Sequence, residues 1–237
     1  MGLFDQSALS WMLVIIFCLL DSFRGQIVYS VSEEVSKGTV IGNITKDLNL
    51  NIQELESRMF QVVSGHDKKY FEVNTKNGLL FVNDRIDRDE LCLDAEKCSL
   101  NIEAIAHNPL SLYRVEVIVT DVNDNDPLFP VKDHVLNVFE NGFPGEKFPL
   151  PMANDADVGS NTVKSYKLSP NEHFSLDVQK QSVFAELVLQ KTLDREKQSV
   201  FQLLLTAIDG GKPPRSGTLQ IIINYGTCST FLIVFSS

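Results

Sequence analysis

Asp121-Val122-Asn123-Asp124-Asn125-Asp126-Pro127 (DVNDNDP) is the densest acidic cluster in a chain of 237 residues. A hard cation such as Ca²⁺ takes six to eight oxygen ligands, and a stretch that alternates Asp, Asn and free backbone carbonyls supplies them on both flanks of a connecting segment. The composition sets the question this heptapeptide answers. The chain carries 31 acidic against 21 basic residues, a formal charge of −10, with 43% hydrophobic and 22% charged residues. That balance belongs to a folded protein rather than a disordered one. It argues against nucleic acid or anionic lipid as the main partner, because both reward a concentrated basic surface. Scattered carboxylates would serve solubility, whereas converging ones build a metal or proton-transfer site.

Outward from this stretch the periodicity is two, the signature of strands. Tyr113, Val115, Val117 and Val119 alternate with Arg114, Glu116 and Thr120; Phe201, Leu203, Leu205 and Ala207 recur at the same spacing, as do Leu219, Ile221 and Ile223. Asn77-Gly78, Asn141-Gly142, Gly210-Gly211 and Pro213-Pro214 mark turns between such runs. Gln53–Arg58 reads as a helical turn and Asp155–Asn161 as an irregular loop. Short strands at this spacing predict antiparallel sandwiches rather than a parallel sheet. Three pairs of landmarks, Glu33 and Glu140, Asp87-Arg88 and Asp194-Arg195, Leu112 and Leu219, each lie 107 residues apart. The chain is therefore expected to be all-β, with two copies of one β-sandwich at 26–127 and 128–224. At the same offset the window matching DVNDNDP begins at Cys228 and reads CSTFLIV, without a carboxylate or carboxamide. Residues 225–237 are expected to be a foreign tail, from truncation, alternative splicing or a faulty gene model.

At the other end, Ala8–Leu20 (ALSWMLVIIFCLL) is the first strongly apolar run. It is shorter than the roughly 20 residues that span a bilayer. Followed by Asp21-Ser22-Phe23-Arg24-Gly25, it reads as a secretory signal peptide, residues 1–25, although the leading segment carries Asp5 and no basic residue. No later stretch is long enough for a membrane helix, so the sequence predicts entry into the secretory pathway without an anchor.

Ser32-Glu33-Glu34, Asp87-Arg88-Asp89, DVNDNDP, Asp155-Ala156-Asp157-x-Gly159-x-Asn161 and Ala207-Ile208-Asp209-Gly210-Gly211 together resemble tandem cadherin repeats from Gln26 to Asn224. QIVYSVSEE, GTVIGNITKDLNL, ELCLDAEKCSL, LSPNEHFSL and LLLTAIDGGKPPRSGT are similar to clustered protocadherins, the alpha class in particular. The resemblance implies two Greek-key sandwiches with three Ca²⁺ ions between them. The first repeat would supply Glu33, Asp87, Asp89, Asp121 and the Val122 carbonyl. The connecting segment would add Asn123, Asp124 and the Asn125 carbonyl, and the second repeat Asp155, Asp157, the Asn161 carbonyl and Asp209. Asp89 stands where the family usually has Glu, which shortens its reach by one methylene. Glu140, Asp194 and Glu196 match half of a further calcium set whose partners are missing, and are expected to face solvent or bind weakly.

Cys92 and Cys98 flank LDAEK. A zinc site would need a further ligand pair, and the sequence has none. The resemblance implies a loop disulfide of the kind typical of protocadherin first repeats. Cys18 falls in the leader and Cys228 in the tail. Asn43-Ile44-Thr45 is the sole N-glycosylation sequon. Ser64-Gly65-His66-Asp67-Lys68 replaces the Arg-Gly-Asp loop of most alpha-class relatives, so integrin binding is not expected. His66, His107, His134 and His173 form no motif and are read as surface residues.

The resemblance implies calcium-dependent homophilic adhesion, with the faces of the first four repeats meeting those of an identical molecule on the opposing cell. The expected partner is the same or a longer protocadherin, with no nucleic acid and no small-molecule substrate. The family is anchored in the plasma membrane. A chain with two repeats could instead be a structural matrix rod or a soluble decoy. A hydrolase with paired carboxylates would need two acids about 5–10 Å apart in a cleft, and neither a nucleophile elbow nor a zinc-protease signature is present.

Overall fold

The computed structural model describes residues 27–64, 69–93, 95–139, 141–179, 184–194, 196, 198 and 200–226. The signal peptide expected at 1–25, the tail from 227 onward, His66, Glu140 and Cys228 lie outside these residues. The described residues divide into two compact units. One contains those up to Ile86 together with Ser99–Thr120, and the other contains Asp87–Cys98 and those from Asp121 onward. Compactness thus cuts the chain differently from the sequence repeat, because the Asp-Arg-Asp segment groups with the residues that follow Thr120.

In the first unit, β1 (Ile27–Ser32), β7 (Ser111–Thr120), β6 (Cys98–Ala106) and β3 (Gln61–Ser64) form a sheet in that order. A second sheet has the order β2 (Val40–Asn43), β5 (Leu79–Val82), β4 (Phe71–Asn74). Two short helices, α1 (Ile44–Asp47) and α2 (Ile52–Ser57), connect β2 to β3. Both start at an asparagine: Asn43 accepts a hydrogen bond from the Lys46 N–H and Asn51 from the Gln53 N–H, satisfying donors that a helix start leaves over. The alternation read in β7 is realised as burial. Tyr113, Val115, Val117 and Val119 are buried and the residues between them are not.

The second unit repeats the plan. The order β10 (Val163–Leu168), β13 (Val200–Asp209), β14 (Ser216–Gly226), β8 (Asp133–Phe139) makes one sheet and β11 (Phe174–Gln179), β12 (Phe184–Leu189), β9 (Lys147–Pro149) the other. Leu219, Ile221 and Ile223 of β14 lie in one apolar core with Leu203, Leu205 and Ala207 of β13 and with Ala185, Leu187 and Leu189 of β12. Each fully buried leucine or isoleucine contributes about 1.5–3 kcal/mol relative to exposure. The all-β, sandwich-like architecture expected from the sequence is the one observed.

Two details differ from the sequence reading. Each unit contains one parallel pair, β1 with β7 and β8 with β14, while the other registered pairs are antiparallel. The first and last strands of a unit run the same way, so the chain leaves β7 at the end of the sheet where β1 delivers Glu33; the Glu33 N–H donates to the Thr120 carbonyl at 3.1 Å. Register also corrects one landmark. Ser32 pairs with Thr120 and Phe139 with Gly226, which places the last strands 106 residues apart, not 107. Leu112 is exposed and Leu219 fully buried, so the two are not equivalent; Tyr113 is the counterpart of Leu219. The one-residue slip is decisive because it moves a side chain to the opposite face of a strand. β14 continues through Tyr225 and Gly226, two residues beyond the point where sequence likeness fades, because ladder hydrogen bonds use the backbone and ignore the side chains.

The histidines read as surface residues are half-buried where described. His173 packs on Phe201 with ring centroids 4.9 Å apart, and burial pushes the His134 imidazole pKa down. A ring beside a strand edge covers apolar surface, which the absence of a motif did not indicate.

Candidate metal centre

The centre starts at Asp87. Its side chain caps α3 (Arg88–Cys92) by accepting the Glu90 N–H at 3.1 Å, which fixes a helix of five residues and places Asp89 in its first turn. Asp121 and Asp157 bring carboxylate oxygens to Asp89, all three within 4.8 Å of one another. Two like charges about 4 Å apart repel by about 4 kcal/mol at an effective dielectric near 20. Something must offset that repulsion, and the local donors do so in part.

Asn125 supplies the largest share of those donors. Its side-chain amide donates to Asp89 Oδ2 at 2.6 Å, Asp124 Oδ1 at 2.8 Å and Asp157 Oδ1 at 2.9 Å, and its backbone N–H faces both oxygens of Asp157 at 3.3 Å. Asp121 accepts the Val158 N–H at 3.1 Å and the Asn161 side-chain amide at 2.8 Å. Asp155 Oδ1 accepts the Asp157 N–H at 3.3 Å, and Asp209 Oδ1 accepts from Gly211 N at 3.1 Å and Arg215 N at 2.9 Å. The Val122 carbonyl accepts the Asp124 N–H at 2.8 Å. Asn123 donates to the Pro213 carbonyl at 2.9 Å.

These bonds leave a residue of unmet demand. Asp89 Oδ1, Asp155 Oδ2, Asp209 Oδ2 and Asn123 Oδ1 are buried and have no hydrogen-bond donor among the described residues. Asp157 and Asp209 are 1% and 4% exposed, a degree of burial that a carboxylate tolerates only when paired or bound to metal. Burial, followed by repulsion from Asp157, Asp121 and Asp124 and opposed by Arg88, pushes the Asp89 carboxyl up to about 6. Burial also raises Asp155 to about 6, against the relief given by the Asp157 N–H and helped by repulsion from Asp157, Asp209 and Asp121. Burial raises Asp157 as well, against the hydrogen bonds from Asn125. Oxygen donors alone, carboxylate-rich and lacking protons to satisfy them, fit a hard divalent cation such as calcium.

Two glycines let the connecting segment lie against the second unit. A Cβ on Gly211 would fall 2.1 Å from Asn123 Cγ, and one on Gly217 would fall 1.8 Å from the Pro127 carbonyl oxygen. A larger residue at 217 would have to move backbone, and one at 211 would have to displace the Asn123 side chain.

Of the residues expected to hold metal, Asp87, Asp89, Asp121–Asn125, Asp155, Asp157, Asn161 and Asp209 belong to the second compact unit, and Glu33, 2% exposed, belongs to the first. Of the further set, Asp194 and Glu196 are exposed, with Asp194 Oδ1 accepting the Glu196 N–H at 3.1 Å. Arg88 was missed by the sequence reading. It is 1% exposed, with Nη1 3.5 Å from Asp121 Oδ1 and 3.6 Å from Asp89 Oδ1. The only available signal was its position between two acids in Asp-Arg-Asp. The expected disulfide is present between Cys92 and Cys98.

A cadherin-like family model matches residues 26–108 and a cadherin-domain model matches residues 135–224. The chain belongs to the cadherin family. Among its cadherin relatives it is 46% identical to protocadherin alpha-8 of Pan troglodytes over 220 residues, 90% of this chain and 23% of the relative. It is also 46% identical to human protocadherin gamma-C3 over 198 residues, 82% of this chain and 21% of the relative. Equal identity to both shows the clustered protocadherins as its relatives without dividing the two classes. The solved structure of mouse clustered PcdhgC3 EC1–3 superposes with a TM-score of 0.81 at 46% identity, covering 84% of this chain and 65% of that one. The chain spans less than a quarter of the length of these curated relatives. The relatives it matches are cadherins and not enzymes. Among the described residues no helix is long and apolar enough to cross a membrane.

Proposed function

We propose that this cadherin is a calcium-dependent homophilic recognition module for cell–cell adhesion. The observation that carries the reading is the set of buried carboxylate oxygens without donors beside the Asp89–Asp121–Asp157 convergence. In this reading three calcium ions are held by Glu33, Asp87, Asp89, Asp121, Asp124, Asp155, Asp157 and Asp209, with oxygens from Val122, Asn123, Asn125 and Asn161, and the two repeats are 26–127 and 128–224. Glu140, Asp194 and Glu196 stay vacant or weakly filled. Calcium supplies the positive charge that the acids need to remain ionised at close range. Sites of this kind in extracellular modules bind at about 10⁻⁴–10⁻³ M, a range suited to standing calcium rather than to pulses. The ions are then structural, and recognition belongs to the sandwich faces that meet the same or a longer protocadherin.

Secretion through a cleaved leader, a glycan on Asn43 and a tail unrelated to the repeats from residue 225 complete the proposal. N-terminal sequencing of the product from secreting cells tests cleavage after Gly25. The full chain, compared in calcium and in chelator, tests the rest by calorimetric titration, thermal unfolding and aggregation of coated beads. Calcium uptake, a higher transition temperature and calcium-dependent bead aggregation are expected. A chain indifferent to chelation sinks the calcium reading. Uptake without aggregation reduces the function to a matrix rod or a soluble decoy.

A further inference from the structure

We infer that Arg88 and the disulfide loop Cys92–Cys98 are a positioning device for the metal centre, so that calcium affinity depends on this loop being closed; the inference rests on the calcium reading above.

The five residues of α3 cannot sustain a helix in water, since nucleation costs more than one turn returns. Three tethers hold it instead. Asp87 caps its start, Cys92 at its end is bonded to Cys98, and Arg88 reaches back into the loop between the two cysteines, where its Nη2 donates to the Ala95 carbonyl. The loop is further folded by a turn from the Ala95 N–H to the Cys92 carbonyl at 3.0 Å. Leu93, directly after the helix, has φ +48, a left-handed conformation that a residue with a branched side chain adopts only under constraint.

Arg88 joins this loop to the acids. One nitrogen of its planar fork is engaged by the loop carbonyl, and the other stands 3.5 Å from Asp121 Oδ1 and 3.6 Å from Asp89 Oδ1. A guanidinium is rigid, so fixing one nitrogen fixes the other. At 1% exposure the group has no room to settle elsewhere. The closed loop therefore sets where the positive charge lies, and that charge sets where two of the three converging carboxylates lie. Opening the loop frees the Ala95 carbonyl and lets the guanidinium drift, and Asp89 and Asp121 lose their common reference. Arg88 binds no metal in this account; it acts through the acids it holds.

The test uses the full chain with Cys92→Ser/Cys98→Ser, with Arg88→Lys and with all three changes. Lysine keeps the charge and loses the fork. Calcium affinity is read by calorimetric titration and, separately, protection of the Asp87–Cys98 segment by hydrogen exchange in chelator. Loss of groups that orient metal ligands typically costs about 10–100-fold in affinity. A weakening of about tenfold is expected for either variant, with lower protection of the segment even without metal. The triple variant is expected to be little weaker than either parent variant, because both changes break one path. Leu187→Ala, which opens a cavity in the core of the second unit, controls for lost stability and should leave affinity within twofold. If the cysteine variant fails to fold, Arg88→Lys with the disulfide intact still decides. Affinities within twofold of the parent, or additive losses in the triple variant, overturn the coupling while leaving the calcium reading in place. A parent chain that takes up no calcium overturns both.

Discussion

Asp89 and Asp155 hold their protons to about pH 6 in the metal-free fold, against about 3.8 for an ordinary aspartate. Both carboxyls are raised above their unfolded values, so between these limits the native state binds more protons than the unfolded one, and stability falls as pH rises through that window. In chelator the thermal transition should therefore drop between pH 4.5 and 6.5, and Asp155→Asn should flatten the fall. Excess calcium should weaken or reverse the trend, because the cation competes with those protons, and its affinity should decline below about pH 6. A chelated protein whose stability climbs steadily across this window would contradict the burial of these groups. At this scale the acids were legible as residue types and motifs. Their division of labour was not: Asp87 spends an oxygen on a helix cap, Asn125 bonds three carboxylates with its side chain, and Arg88 became visible only through its burial.

Among elements, α1 shows how one residue serves two ends. Asn43 is the sequon asparagine, and it also caps α1, with its Oδ1 accepting from the Lys46 N–H at 3.1 Å and the Thr45 hydroxyl at 2.5 Å. Thr45 is buried, so the sequon is built into the fold. In protein without glycan, Asn43→Ala is expected to cost about 1 kcal/mol through loss of the cap, whereas Asn43→Asp should cost a few tenths. Equilibrium denaturation of the two variants checks this, and equal stabilities would refute the capping role. Gly217→Ala on β14 should be harsher, about 1–3 kcal/mol or more, since the new methyl meets the Pro127 carbonyl rather than a yielding side chain. Strand identity and the buried set of β7, β13 and β14 followed from period two alone. The offset of the last strand did not, because a run of leucine, isoleucine and valine tolerates a one-residue shift in likeness that pairing with β1 and β8 does not tolerate in space.

For the molecule as a whole, Asp89, Asp121 and Asp157, whose carboxylate oxygens lie within 4.8 Å of one another, belong to the second compact unit, where bound calcium should act most. A ligand that binds only the native state stabilises it by RT ln(1 + [L]/Kd), about 1.4 kcal/mol per ion at tenfold excess over Kd. Hydrogen exchange in calcium against chelator should show the larger gain in protection across α3 and the β13–β14 connection of the second unit, and a smaller one across β2, β4 and β5 of the first. A uniform gain, or one confined to the first unit, would place the metal elsewhere. The sequence by itself determined the strand class, the repetition, the family and the acids with the chemistry to hold a hard cation. Those properties are written in residue type and spacing, which survive in one dimension. Only the tertiary structure decided that the Asp-Arg-Asp segment packs with the second unit, that Arg88 bridges the disulfide loop to Asp89 and Asp121, and which carboxylate oxygens are left without a donor. Each of these depends on burial and on which donors arrive from distant positions in the chain, and a hydrogen bond is satisfied by geometry rather than by composition.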